Sequence, residues 1–173
     1  MSFTRTGNHD DILVVTNGKS DFQGWDKLSV FVACETPSGS GNNGAILGCG
    51  NDKVGGWNLY WRNGSSFRTR IYGTSGNMNK EFTGKTRNST HLISMVYDGA
   101  TRVSVLDGDI HSQNDVGVIP ANTRGEMLIG ATANHSDYYD FAESNINISE
   151  ILIFKAGLSI PDRQKVEGYL AHK

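Results

Sequence analysis

Between Asn145 and Lys173 the spacing of apolar residues changes once, from a period of two to a period near 3.6. Ile146, Ile148, Glu150, Leu152 and Phe154 fall on one side of an extended chain, and Asn145, Asn147, Ser149, Ile151 and Ile153 on the other, so this stretch reads as a strand. Gly157 ends it. Ser159 then stands at an N-cap position, Pro161 and Asp162 follow in the first turn, and Val166, Tyr169 and Leu170 recur at helical spacing. A long strand feeding one short terminal helix is expected.

Upstream, turn dipeptides cut the chain into short apolar runs. Phe3 to Asp10 reads as a polar arm or irregular first strand. Ile12 to Thr16 stops at Asn17-Gly18, Leu28 to Cys34 runs into the loop Pro37 to Gly44, and Ala45 to Cys49 returns from it as a hairpin. Trp57 to Arg62 and Phe67 to Tyr72 are joined by a tight turn at Asn63-Gly64. Gly73 to Arg87 reads as a long glycine-rich rim loop. Leu92 to Tyr97, Arg102 to Leu106 and Asp109 to Ser112 make a meander turned at Asp98-Gly99 and Asp107-Gly108. Val116 to Ile119 adds an edge piece, and Met127 to Gly130 another core strand. About a dozen short strands and one helix predict an all-β fold, a two-sheet antiparallel β-sandwich with a short C-terminal helix. No internal repeat points to a solenoid or propeller. The 173 residues fit one domain, 1–173, able to bury roughly 70% of its unfolded surface.

Taken in order, several of these runs resemble the laminin-G-like, concanavalin A-like lectin family, in a form common in bacterial and phage proteins. Leu28-Ser29-Val30-Phe31-Val32-Ala33 is similar to its early core strand, and His91-Leu92-Ile93-Ser94-Met95-Val96-Tyr97-Asp98-Gly99 to its W-x-H-V-A-x-x-Y-D-G strand and turn. Val105-Leu106-Asp107-Gly108 resembles its Y-V-D-G hairpin and Met127-Leu128-Ile129-Gly130 its L-x-I-G strand. The ending Ile148-Ser149-Glu150-Ile151-Leu152-Ile153-Phe154, followed by Leu158-Ser159 and Asp162-Arg163, is similar to the family's close. His91 stands where the family has Trp or His, and Leu106 where an aromatic is common, so the match is to the fold. The resemblance implies a concanavalin A-like jelly roll. It also implies calcium as the alternative to no cofactor, since family members hold it between rim loops through Asp and carbonyl oxygens; Asp52, Asp137 and Asp140 could serve, with Asn134 assisting, but loop Asp and Asn mostly cap turns.

A net charge of -2 with no block of like charge gives neither nucleic acid nor an anionic membrane a reason to bind. No apolar run resembles a secretory signal or reaches membrane-spanning length, so no signal peptide and no membrane insertion are expected. If Leu28–Cys34 and Ala45–Cys49 pair as a hairpin, Cys34 faces Ile46 and Cys49 faces Phe31, too far apart to bridge; both read as reduced core residues. The triplets at Asn63, Asn88, Asn134 and Asn147 are ascribed to chance in an Asn-rich chain.

Alternation along Trp57–Tyr72 places Trp57, Leu59, Trp61, Phe67, Thr69 and Ile71 on one face. The other carries Asn58, Tyr60, Arg62, Arg68, Arg70 and Tyr72. Rings that stack on a pyranose, with guanidinium and amide groups that reach its hydroxyls or an acid group, are what a sugar-binding surface uses. A solvated outer sheet face would carry the same residues as ordinary cross-strand pairs. The polar segment Ala131 to Glu143, with Tyr138 and Tyr139, is the second candidate for ligand contact.

A hydrolase of this fold would be a glucanase with carboxylates at alternate positions on one strand. No such run exists, and no phosphate loop, metalloprotease helix or nucleophile elbow is present. His9, His91, His111, His135 and His172 lack metal-ligand spacing. The expected function is therefore a non-catalytic carbohydrate-binding or adhesion module, partnered by glycans or cell-surface polysaccharide. The alternative is a structural decoration or fibre protein of a phage or virus particle, partnered by other virion proteins or by itself. A lectin-like chain that starts at Met1 without a signal motivates the virion setting, reached from the cytoplasm by lysis.

Overall fold

The computed structural model describes residues 2–3, 13–15, 22, 24–36, 43–51, 55–62, 66–74, 76–86, 88–114, 117–119, 127–131 and 146–173. The strands are β1 (Ser2–Phe3), β2 (Leu13–Val15), β3 (Leu28–Thr36), β4 (Asn43–Asn51), β5 (Gly55–Arg62), β6 (Ser66–Gly73), β7 (Gly76–Phe82), β8 (Ser89–Tyr97), β9 (Thr101–Leu106), β10 (Asp109–Asn114), β11 (Met127–Ile129) and β12 (Ile146–Phe154), followed by the helix α1 (Ile160–Ala171). Among the described residues they form two six-stranded antiparallel sheets, ordered β1-β12-β3-β8-β9-β10 and β2-β11-β4-β5-β6-β7. The two-sheet sandwich and the terminal helix are as the sequence predicts.

The main core lies between the sheets, where alternate residues of each strand meet. Val30, Val32 and Ile93 of the first sheet face Leu47, Trp57, Leu59 and Phe67 of the second. A second, smaller core forms on the outside of the first sheet, where Leu170 and Val166 of α1 cover Phe31, Val96, Leu152 and Phe154. The first sheet is therefore the helix-covered one, and the second has no helix on its outer face among the described residues. No described helix is long and apolar enough to cross a membrane.

This double burial explains a departure in β12. Its pairing with β3 slips between Ile148 and Glu150, so Ser149 is an extra residue in the ladder. The expected single face from Ile146 to Phe154 does not survive the bulge. Ile146 and Ile148 face the inter-sheet core together with Ile151 and Ile153, whereas Leu152 and Phe154 turn to the helix.

Three further expectations change. Leu28–Cys34 and Ala45–Cys49 are not a hairpin: β3 pairs with β12 and β8, β4 with β11 and β5, and the connection between them crosses from one sheet to the other. Cys34 and Cys49 are nonetheless both free and buried, and burial, then the charge of Asp107, pushes the Cys34 thiol up to about 12. The span Gly73–Arg87 contains β7, an edge strand along β6. β5 and β6 pair as the expected hairpin, with Arg62 opposite Ser66; the turn at Asn63-Gly64 lies outside the described residues. Residues 117–119 are a strap and not a strand: the Thr74 N–H donates to Val118 C=O at 2.9 Å and the Ile119 N–H to Trp25 C=O at 3.3 Å.

At the helix, the Ser159 hydroxyl accepts the Asp162 N–H at 3.3 Å and donates to the Asp162 carboxylate at 2.7 Å, a reciprocal N-cap. Gly157 approaches the β8–β9 turn so closely that a Cβ would lie 2.5 Å from Asp98 Cα. Ser159→Ala is expected to lower unfolding free energy by about 1 kcal/mol. Urea denaturation should show the midpoint falling with an unchanged slope, the mark of lost stability without a changed fold.

Candidate functional site

The outer face of the second sheet gathers Asn58, Tyr60, Arg68, Arg70 and Tyr72. Register does this: Tyr60 pairs with Arg68, Asn58 with Arg70 and Gly56 with Tyr72. Arg62 pairs with Ser66 at the end of the same ladder. β7 then adds two residues from the stretch expected to be a rim loop, Asn79 opposite Arg70 and Glu81 opposite Arg68. Tyr138 and Tyr139, and the calcium candidates Asp52, Asp137 and Asp140 with Asn134, lie outside the described residues. Among the described residues no group of three His, Cys, Asp or Glu side chains could hold a metal ion.

The guanidiniums lie over the rings. Arg70 sits 5.4 Å from the Tyr60 centroid and 5.1 Å from that of Tyr72, and Arg68 lies 5.6 Å from Tyr60. Arg68 Nη2 donates to Glu81 Oε2 and Arg70 Nε to Asn79 Oδ1, while Arg70 Nη1 donates to the Tyr72 hydroxyl. Ser66 completes the set with a 2.7 Å hydrogen bond to Glu81 Oε1. Tyr60 and Tyr72 are only 2% and 5% exposed, so their rings serve as backing for the arginines and not as open stacking platforms.

Burial pushes the Tyr60 hydroxyl up, against the opposing pull of Arg70 and Arg68. It therefore stays a neutral phenol. Of the three charged side chains in this set, Arg68 and Glu81 cancel, and Arg70 is left paired only with neutral groups. Two polar atoms on this face, Asn58 Oδ1 and Arg68 Nε, are buried without a hydrogen-bond partner. One is an acceptor and the other a donor.

No family model matches the sequence, and no curated protein sequence matches it. Solved structures do match in shape. The CBM40 module of Ruminococcus gnavus IT-sialidase, bound to α2,3-sialyllactose, is 12% identical with a TM-score of 0.64, covering 83% of this chain and 83% of its own. The native heptameric SAP-like pentraxin of Limulus polyphemus is 15% identical with a TM-score of 0.67, covering 96% and 80%. Mouse laminin α1 domains LG4-5 are 14% identical with a TM-score of 0.55, covering 86% of this chain and 41% of theirs. The chain has the concanavalin A-like, laminin G-like sandwich fold.

Within this concanavalin A-like sandwich three described carboxylates are each held by other groups of the chain. Glu81, the one carboxylate on the described outer face of β5–β7, is held by Arg68 and Ser66. Glu150 is on the helix side, 2.7 Å from the Lys173 ammonium and within hydrogen-bond reach of the Tyr169 hydroxyl. Asp107 is bound to His91 and to the Leu92 N–H. Glu143 lies outside the described residues.

Proposed function

We propose that the chain is a non-catalytic carbohydrate-binding module whose site is the outer face of β5–β7, and that its ligand carries an acidic group. The observation that carries this reading is the pair of unpartnered buried atoms, Asn58 Oδ1 and Arg68 Nε, beside the carboxylate-free guanidinium of Arg70. An acceptor for a sugar hydroxyl and donors for a carboxylate or sulfate are the functions these groups have left over. The sialyllactose bound by the Ruminococcus gnavus module, a relative in shape, is in keeping with such a ligand.

A virion decoration protein would instead call for one continuous apolar docking patch. The exposed large apolar residues described are Leu13 and Val14 on β2, Ile110 on β10, Val118, and Ile160 and Tyr169 on α1. β2 and β10 lie at the edges of different sheets, and α1 covers the outside of one of them. These residues are dispersed, and the lectin reading is the better supported.

A glycan array probed with and without calcium tests it. The wild type is expected to bind acid-bearing glycans saturably, and Arg68→Gln/Arg70→Gln to weaken that binding by about 30-fold, equivalent to about 2 kcal/mol of charge-assisted hydrogen bonding. A folded wild type that binds no glycan, or a double variant that binds as well as the wild type, would sink the proposal. Glu150→Gln should leave binding unchanged.

A further inference from the structure

A second polar cluster lies inside the sandwich, at the seam where β6 and β7 face β9 and β10. Arg102 and Ser104 occupy alternate positions of β9, and β10 sets Gln113 opposite Arg102 and His111 opposite Ser104. From the other sheet β7 sets Lys80 opposite Thr69. The Thr69 and Ser104 hydroxyls meet across the seam at 2.7 Å, so a hydrogen bond joins the sheets here, beside the apolar core.

Arg102 is the anomaly. It is 0% exposed, and its polar contacts are a marginal 3.5 Å approach of Nη1 to Thr69 C=O and a 3.1 Å bond from Nη2 to Gln113 Oε1. Its Nε is buried without a partner, as is His111 Nδ1. Burial alone acts on the guanidinium, lowering it to about 10. Burial, then Lys80, then Arg102 lower the His111 imidazole, which places Lys80 and Arg102 each within electrostatic reach of His111.

Among the described residues no neighbouring carboxylate answers them. Asp109, at the start of β10, is bound to Lys85 at 2.5 Å, and Glu81, the chain neighbour of Lys80, turns to the outer face and Arg68. A guanidinium taken out of water is normally paired and fully hydrogen-bonded. Among the described residues this one has neither a counter-charge nor a full set of partners.

We propose that the seam between β6–β7 and β9–β10 is a binding site for an oxyanion, a carboxylate or a sulfate, held by Arg102 with Lys80 and His111 completing the donors. It is distinct from the outer face and does not depend on the glycan reading. Lys80 and His111 are half-buried and Gln113 is exposed, so the anion enters between the two edge strands β7 and β10 and meets Arg102 at the inner end. Occupancy supplies the missing charge and an acceptor for the unpaired N–H of Arg102.

The test titrates sodium sulfate and sodium acetate separately, up to about 20 mM at ionic strength fixed with sodium chloride, and follows the thermal midpoint, which rises when a ligand binds only the native state. The His111 ring resonances are followed by NMR in the same series. In the wild type one or both anions are expected to raise the midpoint saturably and shift those resonances, and the anion that does so identifies the preferred group. Arg102→Met is expected to respond to neither anion while matching or exceeding the wild-type midpoint in chloride, because it removes an unpaired buried charge. Lys80→Met, which keeps Arg102, is expected to weaken the response about tenfold and decides the matter if Arg102→Met does not fold. An unsaturating sulfate effect equal in all three proteins is general salting, and it overturns the site. So does a wild type that responds to neither anion.

Discussion

Gly56→Ala is expected to cost about 4 kcal/mol or more of folding stability, a large part of what holds a domain of this size together. Two effects combine. Gly56 has φ of +139°, a conformation that side-chain-bearing residues rarely adopt, and a Cβ built there would lie 2.2 Å from Cys49 O and 2.7 Å from Gly50 Cα. Both obstacles are backbone of the paired strand β4, where Gly50 stands opposite Gly56, so no side-chain rotation relieves them. Relief requires β5 to part from β4 one residue before Trp57 enters the core and two before Asn58 reaches the outer face. Gly84→Ala is the control. It also has positive φ, +72°, but nothing lies within 4 Å of its added Cβ, so only the conformational cost of about 1–2 kcal/mol is expected. Urea denaturation of both variants measures the difference. Equal losses would show that the β4–β5 approach yields easily and that conformation alone matters.

Strand positions were legible because most strands are short apolar runs bounded by Gly, Asn or Asp. Pairing was legible in the β5–β6 hairpin and the β8–β9–β10 meander, and not for β3 and β4. The residues 37–44 look the same whether they turn a hairpin or carry the chain across the sandwich, and β3 and β4 do the second. β7 was hidden by its composition: Met78 and Phe82 are its buried positions, but Lys80 between them and the flanking glycines give the look of a loop. β12 did carry a signal. From Ile151 to Phe154 both sides are apolar, the mark of a strand covered on two faces, here by the core and by α1. The Ser149 bulge that reassigns those faces has no residue signature of its own.

For the outer face, alternation alone brings Asn58, Tyr60, Arg68, Arg70 and Tyr72 together. It cannot say that the arginines lie over the rings, since that geometry depends on Glu81 and Asn79 of the unexpected edge strand. Arg102 was harder still. On β9 the side carrying Thr101, Val103 and Val105 is the more apolar, yet Arg102, Ser104 and Leu106 face the sandwich interior, because the other side is the one that looks toward the helix. Hydrophobicity identifies a buried side only when one side is buried.

Asp107→Asn is expected to destabilise the fold by about 2–3 kcal/mol at pH 5.5 and by markedly less at pH 8.5. Asp107 turns the β9–β10 hairpin at φ of +51°, a conformation that Asn also tolerates, and Asn can still accept the Leu92 N–H, so the substitution isolates the charge. What it removes is the carboxylate 2.8 Å from His91 Nδ1. The imidazole is buried and its ring lies 5.4 Å from that of Trp61, while its Nε2 is 2.9 Å from Thr86 C=O. Burial works against the charged ring, but the Asp107 and Thr86 hydrogen bonds and the Asp107 charge outweigh it and hold its pKa above the ordinary 6.5. A raised histidine contributes stability that is fully present below 6.5 and is lost as pH climbs through the folded value. For Asp107 burial again opposes ionisation and is outweighed, by the His91 and Leu92 N–H bonds and the His91 and Lys85 charges, so its pKa lies below the ordinary 3.8. Its contribution is fully present above 3.8 and is lost as pH falls through the folded value. The pair is therefore worth most between about pH 4 and 6.5, where both charges exist in the folded protein. Unfolding free energies for wild type and Asp107→Asn, measured by urea at several pH values across this range and above it, give the difference directly. A gap that stays constant from pH 5.5 to 8.5 would mean that His91 is neutral throughout and that Asp107 acts as a simple hydrogen-bond acceptor.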